Sequence, residues 1–266
     1  MLLVALTASC GARLTKLPSA AGVPASDMAA ATAQATSACS AVTSLTAEIA
    51  ASGSVGGRRL RARLLGGFTA PSVRLEAIAP AGPPFFIFVA TGRDATLLLP
   101  RDERVLEHGE PAAVLEAIAG IPLESSEVLQ TLTGCVMPGR WTAGRAIGDS
   151  WRVAEGEHGA KLYVHRDSTS APWRVVTFLH PGTGTAWSWR ADYDDFRQGL
   201  PTSVHLTSAD SRRFELKLAL GQIETGVALD RDAFRVQIPP SAQRITLEEL
   251  RRSGPFGPAS DDPDGS

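Results

Sequence analysis

The sequence predicts a mainly β fold of the α+β class: a half-open antiparallel β-barrel of about ten or eleven strands, covered by a helical lid. The first observation is a repeated two-residue alternation, which puts apolar side chains on one face of a strand and polar ones on the other. Leu60, Ala62 and Leu64 alternate with arginines in this way. The second observation is a pair of short helical segments between two blocks of strands. Helices inserted as a group favour one strongly curved sheet over two stacked ones.

The elements follow from local signals. A helix is predicted from Asp27 to about Leu45, because small apolar residues recur there at helical spacing and Ser26 or Asp27 can cap it. Strands are expected from Leu60 to His108. In the lid, one helix begins near Pro111 and ends at Gly120.

The second lid helix runs from Ser125 or Ser126 to Gly134. Strands then resume at Ser150, and the last is predicted over Phe234 to Ile238. The short strands and their glycine-rich turns together predict a single curved sheet.

The chain divides into four predicted segments. Residues 1–9 form the remnant of a signal peptide, because an apolar run precedes Cys10 as in a lipobox, whose cysteine receives a lipid. Residues 10–26 form a lipid-anchored flexible tether, residues 27–252 a single domain and residues 253–266 a disordered tail. The alternative for the N-terminus is a hydrophobic segment with an incidental cysteine.

Cysteine usage favours export from the cytosol. Three cysteines are present, and if Cys10 carries a lipid then Cys39 and Cys135 remain as a possible disulfide pair. Such a bond closes a long loop and contributes about 4 kcal/mol in the loop-entropy model. The alternative is two buried free thiols.

Composition argues against several classes of function. The net charge is −2 and basic residues are not clustered, so nucleic-acid binding is not expected. The five histidines are scattered without the spacing of a zinc site, and no nucleophile elbow or phosphate-binding glycine loop occurs. The acidic group Asp192, Asp194 and Asp195 fits a solvated strand end better than the alternative, a calcium site. We therefore expect no enzyme, metal or cofactor.

The order of elements resembles the LolA/LolB family of lipoprotein carriers over about residues 30–250. The resemblance rests on the strand that ends in Ala79–Gly82, on the helices that interrupt the sheet, and on the closing strands at Pro201–Leu206 and Phe214. It implies an incomplete barrel whose cavity receives acyl chains of lipoproteins or other lipids. A lipid anchor resembles the LolB type, and Gly11 after Cys10 then implies the outer membrane, facing the periplasm.

The resemblance also implies site residues and partners. LolB-type receptors carry a protruding hydrophobic residue in a Pro-x-Gly turn that touches the membrane. The matching residue here is Ala81, and Phe85 follows closely as a second candidate for this membrane-contact loop, although Phe85 also suits a buried strand. The expected partners are acyl chains, the membrane surface and a periplasmic carrier protein, and the protein is expected to be a monomer.

The inward faces of the strands are predicted to line the cavity, although core packing explains an apolar position equally well. The candidates are Leu60, Leu64, Leu75, Phe86, Phe88, Leu97, Leu99, Trp151, Trp187, Trp189, Phe214 and Leu216. The lid helices, which carry Leu115, Ile118, Leu129 and Leu132, are expected to move to admit a ligand. The alternative function is an envelope scaffold that uses the same sheet for protein contacts, with its interior filled by its own side chains.

Overall fold

The fold is known from a computed structural model, which describes residues 15–135, 141–181, 187–210 and 212–253. These residues contain fifteen strands. In chain order the strands are β1 Val23–Pro24, β2 Ser44–Val55, β3 Arg58–Thr69, β4 Ser72–Ile78, β5 Phe86–Thr91, β6 Asp94–Leu99, β7 Arg104–Gly109, β8 Trp141–Ile147, β9 Trp151–Gly156, β10 Lys161–His165, β11 Arg174–Pro181, β12 Trp187–Arg197, β13 Leu200–Ser208, β14 Phe214–Thr225 and β15 Gln243–Arg244.

All fifteen strands belong to one open, curved sheet in the order β1-β8-β9-β10-β11-β12-β13-β14-β2-β3-β4-β5-β6-β7-β15. Neighbours are antiparallel except β15, which pairs in parallel with β7. The predicted count of ten or eleven strands is too low. The additional strands are mainly β2, β8 and the two-residue strands β1 and β15 at the sheet edges.

Within the described ranges, four α-helices accompany the sheet. They are α1 Met28–Ser40, α2 Pro111–Ala119, α3 Ser125–Thr133 and α4 Leu247–Ser253. Pro111 occupies the first turn of α2, and Gly120 and Gly134 end α2 and α3 in the left-handed conformation that glycine adopts without strain. We call α2 and α3 together the lid, because both pack on the inner face of the sheet. In the chain they lie between β7 and β8.

Helix α1 packs on the sheet over strands β8 to β11. It can lie close because two glycines face it. A β-carbon on Gly144 would fall 2.6 Å from the Met28 side chain, and one on Gly199 would fall 2.6 Å from the Cβ of Ala38. The helix is shorter than predicted: it ends at Ser40, and residues from Ser44 onward join β2 instead.

Strand β2 forms although its small residues favour a helix or coil in isolation. It pairs with β3 over its whole length from Ser44 to Val55 and with β14 on its other side. A continuous ladder of backbone hydrogen bonds to β3 and a bulged ladder to β14 therefore override the weak local preference. This strand occupies the centre of the sheet.

The predicted tether does not extend freely where the structure describes it. Residues 15–26 follow the sheet instead: Val23 and Pro24 pair with β8, and the guanidinium of Arg190 donates to the carbonyl oxygen of Thr15 at 2.7 Å. Residues 10–14 and the tail beyond residue 253 lie outside the described residues.

The strand predicted over Phe234 to Ile238 is wrong. A 3₁₀ turn spans Asp232–Phe234, and the following residues are irregular. Two backbone carbonyl groups here bond to a side chain, since Arg74 donates to the carbonyl oxygens of Ala233 and Arg235 at 3.1 and 2.9 Å. Arg74 thus holds the start of this segment against β4 without a strand pairing.

Candidate functional site

An apolar cavity lies between the lid and the concave face of the sheet. Its floor comes from strands β2, β3, β4, β5, β13 and β14, and its roof from α2, α3 and the segment that joins them. The wall residues are Ile49, Ala51, Leu60, Ala62, Leu64, Leu75, Phe86, Leu115, Ile118, Ala119, Ile121, Leu123, Val128, Thr131, Leu132, Leu206, Leu216 and Leu218. Thr131 is the one polar residue among them.

The cavity has a volume of about 120 Å³. An engineered protein cavity of about 150 Å³ with a comparable aliphatic lining stays dry and binds benzene. The present cavity is therefore large enough for a small apolar group but too small for a complete acyl chain. Its opening is marked by Leu60, Leu64 and Phe86, which belong to the wall yet are only partly buried.

The lid has polar contacts at its helix ends and apolar contacts to the sheet between them. At the N-terminus of α3, Glu124 and Glu127 form a capping box, with Glu127 Oε2 accepting from the Glu124 backbone N–H at 3.0 Å. Burial, followed by repulsion from Glu110 and Glu127, raises the pKa of Glu124. Helix α2 is linked to the β13–β14 turn by an exposed ion pair between Glu116 and Arg213. Exposed pairs of this kind stabilise little, so the lid is held mainly by its apolar face.

A disulfide joins the end of the lid to helix α1. Cys39 lies in α1 and Cys135 directly follows the glycine that ends α3. Their sulfur atoms are bonded, and their Cα atoms lie 5.5 Å apart. The bond fixes the C-terminal end of α3, so any outward movement of α3 has its fixed point there.

The other part of the sheet carries large, buried aromatic side chains on its inner face. We call strands β8–β12 with α1 the packed half, and strands β13, β14 and β2–β6 with the lid the hollow half. In the packed half, Trp173, Phe178, Trp189 and Tyr193 are all buried. Phe178 and Trp189 meet edge to face with ring centroids 5.8 Å apart.

Five of the twelve residues predicted to line the cavity are on its wall: Leu60, Leu64, Leu75, Phe86 and Leu216. Five others are buried in the surrounding core without touching the cavity: Phe88, Leu97, Leu99, Trp189 and Phe214. Of the lid residues, Leu115, Ile118 and Leu132 are on the wall, whereas Leu129 is buried elsewhere.

Two predicted lining residues have other outcomes. Trp151 is wrong as a lining residue, because its ring packs against His165 on the neighbouring strand at 4.4 Å between centroids, away from the cavity. The side chain of Trp187 lies outside the described residues, as does Cys10. Other wall residues were not predicted. Ile49 and Ala51 were missed because β2 was not predicted as a strand. Leu206 and Leu218 were missed although the alternation in β13 and β14 could have indicated them.

The loop between β4 and β5 holds Ala81 and Phe85 near the cavity opening. Both are exposed, and the Phe85 side chain keeps 49% of its surface accessible. Arg101 organises this loop: its guanidinium donates to the carbonyl oxygen of Ala81 at 2.9 Å and lies 4.1 Å above the Phe85 ring. Phe85 directly precedes the wall residue Phe86, so the loop adjoins the cavity.

In the part of the chain that the structure describes, no helix is long and apolar enough to cross a membrane. Within the same ranges, no three His, Cys, Asp or Glu side chains are grouped as metal ligands would be.

The architecture defines a class of protein: an open, curved antiparallel sheet with helices on its concave face and an apolar hollow between them. Among solved structures, a LolA superfamily protein from Nitrosomonas europaea is similar to this chain with a TM-score of 0.55 at 14% sequence identity, over 80% of this chain and 98% of that one. A DUF1329 family protein from Desulfovibrio piger is similar with a TM-score of 0.53 at 9% identity, over 78% and 97%.

These similarities confirm the predicted LolA/LolB-like fold. No protein-family model and no curated protein sequence matches the chain.

Proposed function

We propose that this protein is an envelope lipid carrier or receptor, which binds an acyl chain of a lipoprotein or another lipid in the cavity of the hollow half. The observation that carries the proposal is the apolar wall, in which Thr131 alone is polar. Each methylene group transferred from water to such a wall contributes about 0.8 kcal/mol. Binding of a chain therefore needs no charged or catalytic group.

The lid is proposed to move when a chain enters. The cavity of about 120 Å³ accepts only part of an acyl chain, so α2 and α3 have to separate from the strands below them. Both helices are short and contact the sheet mainly through apolar side chains. These side chains can replace their contacts with the strands by contacts with an acyl chain at little cost in free energy, because both partners are apolar. The disulfide at Cys135 keeps one end of α3 in place during this movement.

The cellular setting is proposed from the sequence. A lipid on Cys10 would anchor the protein to the outer membrane on its periplasmic side, where it would receive cargo from a periplasmic carrier and insert it as a monomer. Phe85, supported by Arg101, would touch the membrane during transfer, with Ala81 beside it. Membrane fractionation of the Cys10→Ser variant tests the anchor, because the proposal requires this variant to leave the membrane.

A cavity-filling substitution tests the binding proposal. Ala51 is on the cavity wall in β2, and the adjacent Ala50 points to the opposite, exposed face of the same strand. Ala51→Phe is expected to reduce uptake of a fluorescent fatty acyl probe at least tenfold, because its ring fills the space. Ala50→Phe is the matched control and is expected to bind like the natural protein.

Circular dichroism and thermal unfolding of both variants separate loss of binding from loss of folding. Equal uptake by the two folded variants would contradict the proposal. If the natural protein itself takes up no probe and is purified without lipid, the scaffold alternative is favoured instead.

A second pair of variants tests the membrane contact. Phe85→Ala is expected to slow transfer of a bound acyl probe to phospholipid vesicles several-fold without changing its affinity. Leu65→Ala is the control, because Leu65 is similarly exposed at 47% but lies on the convex side of β3, away from the cavity. An equal effect of the two variants would remove the special role of Phe85.

A further inference from the structure

An excess of positive charge lies at one end of the sheet, although the composition indicated no basic cluster. Between Glu48 and Asp94 the chain contains a single acidic residue, Glu76. Four exposed arginines of β3 lie in this stretch: Arg58, Arg59, Arg61 and Arg63. The net charge of −2 for the whole chain therefore conceals a strongly basic strand.

These arginines belong to a β-hairpin, formed by β2 and β3, that projects beyond the neighbouring strand. The pairing of β3 with β2 extends as far as Arg58, opposite Val55. Its pairing with β4 begins only at Arg63, opposite Ile78. In the described chain, residues 58–62 thus have no strand partner on the β4 side. We call residues 52–62 the projecting hairpin.

Two of the arginines form an uncompensated pair of like charges. Arg59 and Arg61 point to the outer side of the hairpin, because Leu60 between them is on the cavity wall. Their Cα atoms are about 7 Å apart, within the Debye length of about 8 Å at physiological salt, so the two charges repel each other. Their cross-strand neighbours on β2 are the uncharged Ser54 and Ser52. Within the described ranges, no carboxylate group pairs with either guanidinium.

The charged groups around this pair are engaged with other partners. Arg63 Nε lies 3.0 Å from Glu48 Oε1. Glu215, on the neighbouring strand β14, has its Oε1 3.4 Å from His205 Nε2. Neither contact neutralises the two arginines of the projecting hairpin. An anionic partner outside the described chain can do so, because it removes the repulsion between them.

The exposed ring of Phe85 lies at the same end of the sheet. The loop that contains Phe85 starts after Ile78, which pairs with Arg63, so it leaves β4 beside the unpaired part of β3. Arg101 places a further positive charge 4.1 Å above this ring. An exposed aromatic ring flanked by arginines is typical of a surface that enters the interface of a bilayer.

The described chain also starts at this end. The guanidinium of Arg190 donates to the carbonyl oxygen of Thr15. One row of paired residues crosses the sheet from β12 to β3: Arg190, Thr207, Glu215, Ser54 and Arg59. The row covers four strand spacings, or about 19 Å. An anchor at Cys10, a few residues before Thr15, would keep this end of the sheet within reach of the bilayer.

We propose that the projecting hairpin is a docking surface for a bilayer of anionic phospholipids, in which Arg59 and Arg61 bind the lipid phosphate groups while Phe85 enters the interface. The inference rests on the proposed membrane contact of Phe85 and specifies the class of lipid. It does not depend on acyl binding in the cavity. Guanidinium groups suit this role, because they bind phosphate oxygens in a bidentate manner. Each arginine close to an anionic leaflet strengthens attachment about fivefold.

The test measures partition of the full-length protein into vesicles, in the Cys10→Ser background that lacks the lipid anchor. One vesicle contains phosphatidylcholine alone, and the other an equal mixture of phosphatidylcholine and phosphatidylglycerol. The protein is expected to prefer the mixture and to lose this preference at about 1 M salt, where the Debye length is about 3 Å. Replacing Arg59 and Arg61 together with serine is expected to lower partition into the mixture about 20-fold and to leave partition into phosphatidylcholine unchanged.

A matched control removes the same charge from the opposite end of the sheet. Arg93 is in the turn between β5 and β6, Arg197 ends β12, and both are exposed. Replacing these two with serine is expected to change partition into the mixture no more than about twofold, because they lie beyond a Debye length from a bilayer that contacts the hairpin. Thermal unfolding of both double variants shows whether each remains folded.

Three results would overturn the inference. Equal partition of the unsubstituted hairpin into both vesicles would show that the protein has no preference for anionic headgroups. Equal losses in the hairpin variant and the control would assign the preference to net charge. A loss of the same size in both vesicles would show that the two arginines do not respond to lipid charge.

Failure of the proposed acyl binding is detected separately. Uptake of the fluorescent fatty acyl probe without vesicles is expected to be the same in the hairpin variant and the control, because Arg59 and Arg61 are not on the cavity wall. A protein that takes up no probe but prefers anionic vesicles through these arginines would contradict acyl binding and support the docking surface.

Discussion

The packed half and the hollow half belong to the same sheet but use helices in different ways. In the packed half, the single helix α1 presents small residues and approaches the strands closely at Gly144, while large aromatic side chains fill the remaining space. In the hollow half, two shorter helices carry the large apolar side chains themselves, and the strands below them supply alanine and leucine. Space is left where the roof and the floor do not interlock.

Under the proposed function, this difference allows one fold to hold both a rigid core and a binding site. Close packing of the kind found where α1 approaches Gly144 and Gly199 stabilises the framework. The lid instead covers a cavity of about 120 Å³, whose wall loses dispersion contacts that a bound chain can restore. In the proposed mechanism, separating the two roles on one sheet would allow the lid to move while α1 keeps the sheet in place.

The largest expected effect comes from the covalent bond between the halves. Replacing both Cys39 and Cys135 with serine is expected to lower the free energy of unfolding by about 4 kcal/mol, because the bond closes a loop with a sequence separation of 96 residues. Urea denaturation of oxidised protein and of the double variant measures this loss. The acyl probe is also expected to enter the variant faster, since α3 loses its fixed end.

The two readouts have separate meanings. A loss of stability with an unchanged rate of probe entry would show that the bond acts on the unfolded chain alone and does not restrain the lid. An unchanged stability would show that the halves are coupled by packing without the bond.

The second prediction compares leucine truncations in the two halves. Leu162 in β10 is fully buried in the packed half, whereas Leu64 in β3 lies on the cavity wall and is partly exposed. Leu162→Ala is expected to cost about 3 kcal/mol, because it creates a void in a filled core. Leu64→Ala is expected to cost about 1 kcal/mol, because it only enlarges an existing hollow. Chemical denaturation measures both, and equal costs would contradict the division into halves.

The sequence predicted the lid more accurately than it predicted the sheet. Pro111, Gly120 and Gly134 are local signals whose effect on the backbone is steric, so they act in the same way in any surroundings. Strand β2 has no such signal, since it becomes a strand only when β3 and β14 pair with its backbone. Those partners are distant in sequence, and a local pattern cannot indicate them.

The site was predicted in part for a related reason. Two-residue alternation identifies which face of a strand points inward. It predicted inward positions for Leu60, Leu64 and Leu216, and the structure has these residues on the cavity wall. Alternation does not tell which inward residues meet a helix and which meet a hollow. Phe88 and Trp189 point inward but are covered, because the position of the helices decides this and depends on packing across the whole sheet.

The smallest expected effects concern how the stability of each half depends on pH. In the packed half, the hydrogen bond from Arg152 to Asp27, with Nε to Oδ1 at 2.7 Å, lowers the pKa of Asp27 below its ordinary 3.8. Its contribution is therefore complete above pH 3.8 and is lost as the pH falls through the depressed value. Asp27→Asn is expected to cost about 1–2 kcal/mol at pH 7, since Arg152 is buried while Asp27 is half-exposed, and to remove this acid sensitivity.

The lid responds in the opposite direction. Because burial and two neighbouring carboxylates raise the pKa of Glu124 above its ordinary 4.5, the folded lid is favoured when this group is protonated, and that advantage is lost as the pH rises through the raised value. Glu124→Gln is expected to stabilise the protein at pH 7 by about 0.2–0.5 kcal/mol, the size of a like-charge repulsion on a helix, while its amide oxygen still accepts the capping hydrogen bond. Thermal unfolding of both variants from pH 7 to pH 3 measures the two trends. If Asp27→Asn and Glu124→Gln shift the profile in the same direction, the halves do not respond separately to acid, and the lid cannot be treated as an independently adjustable cover.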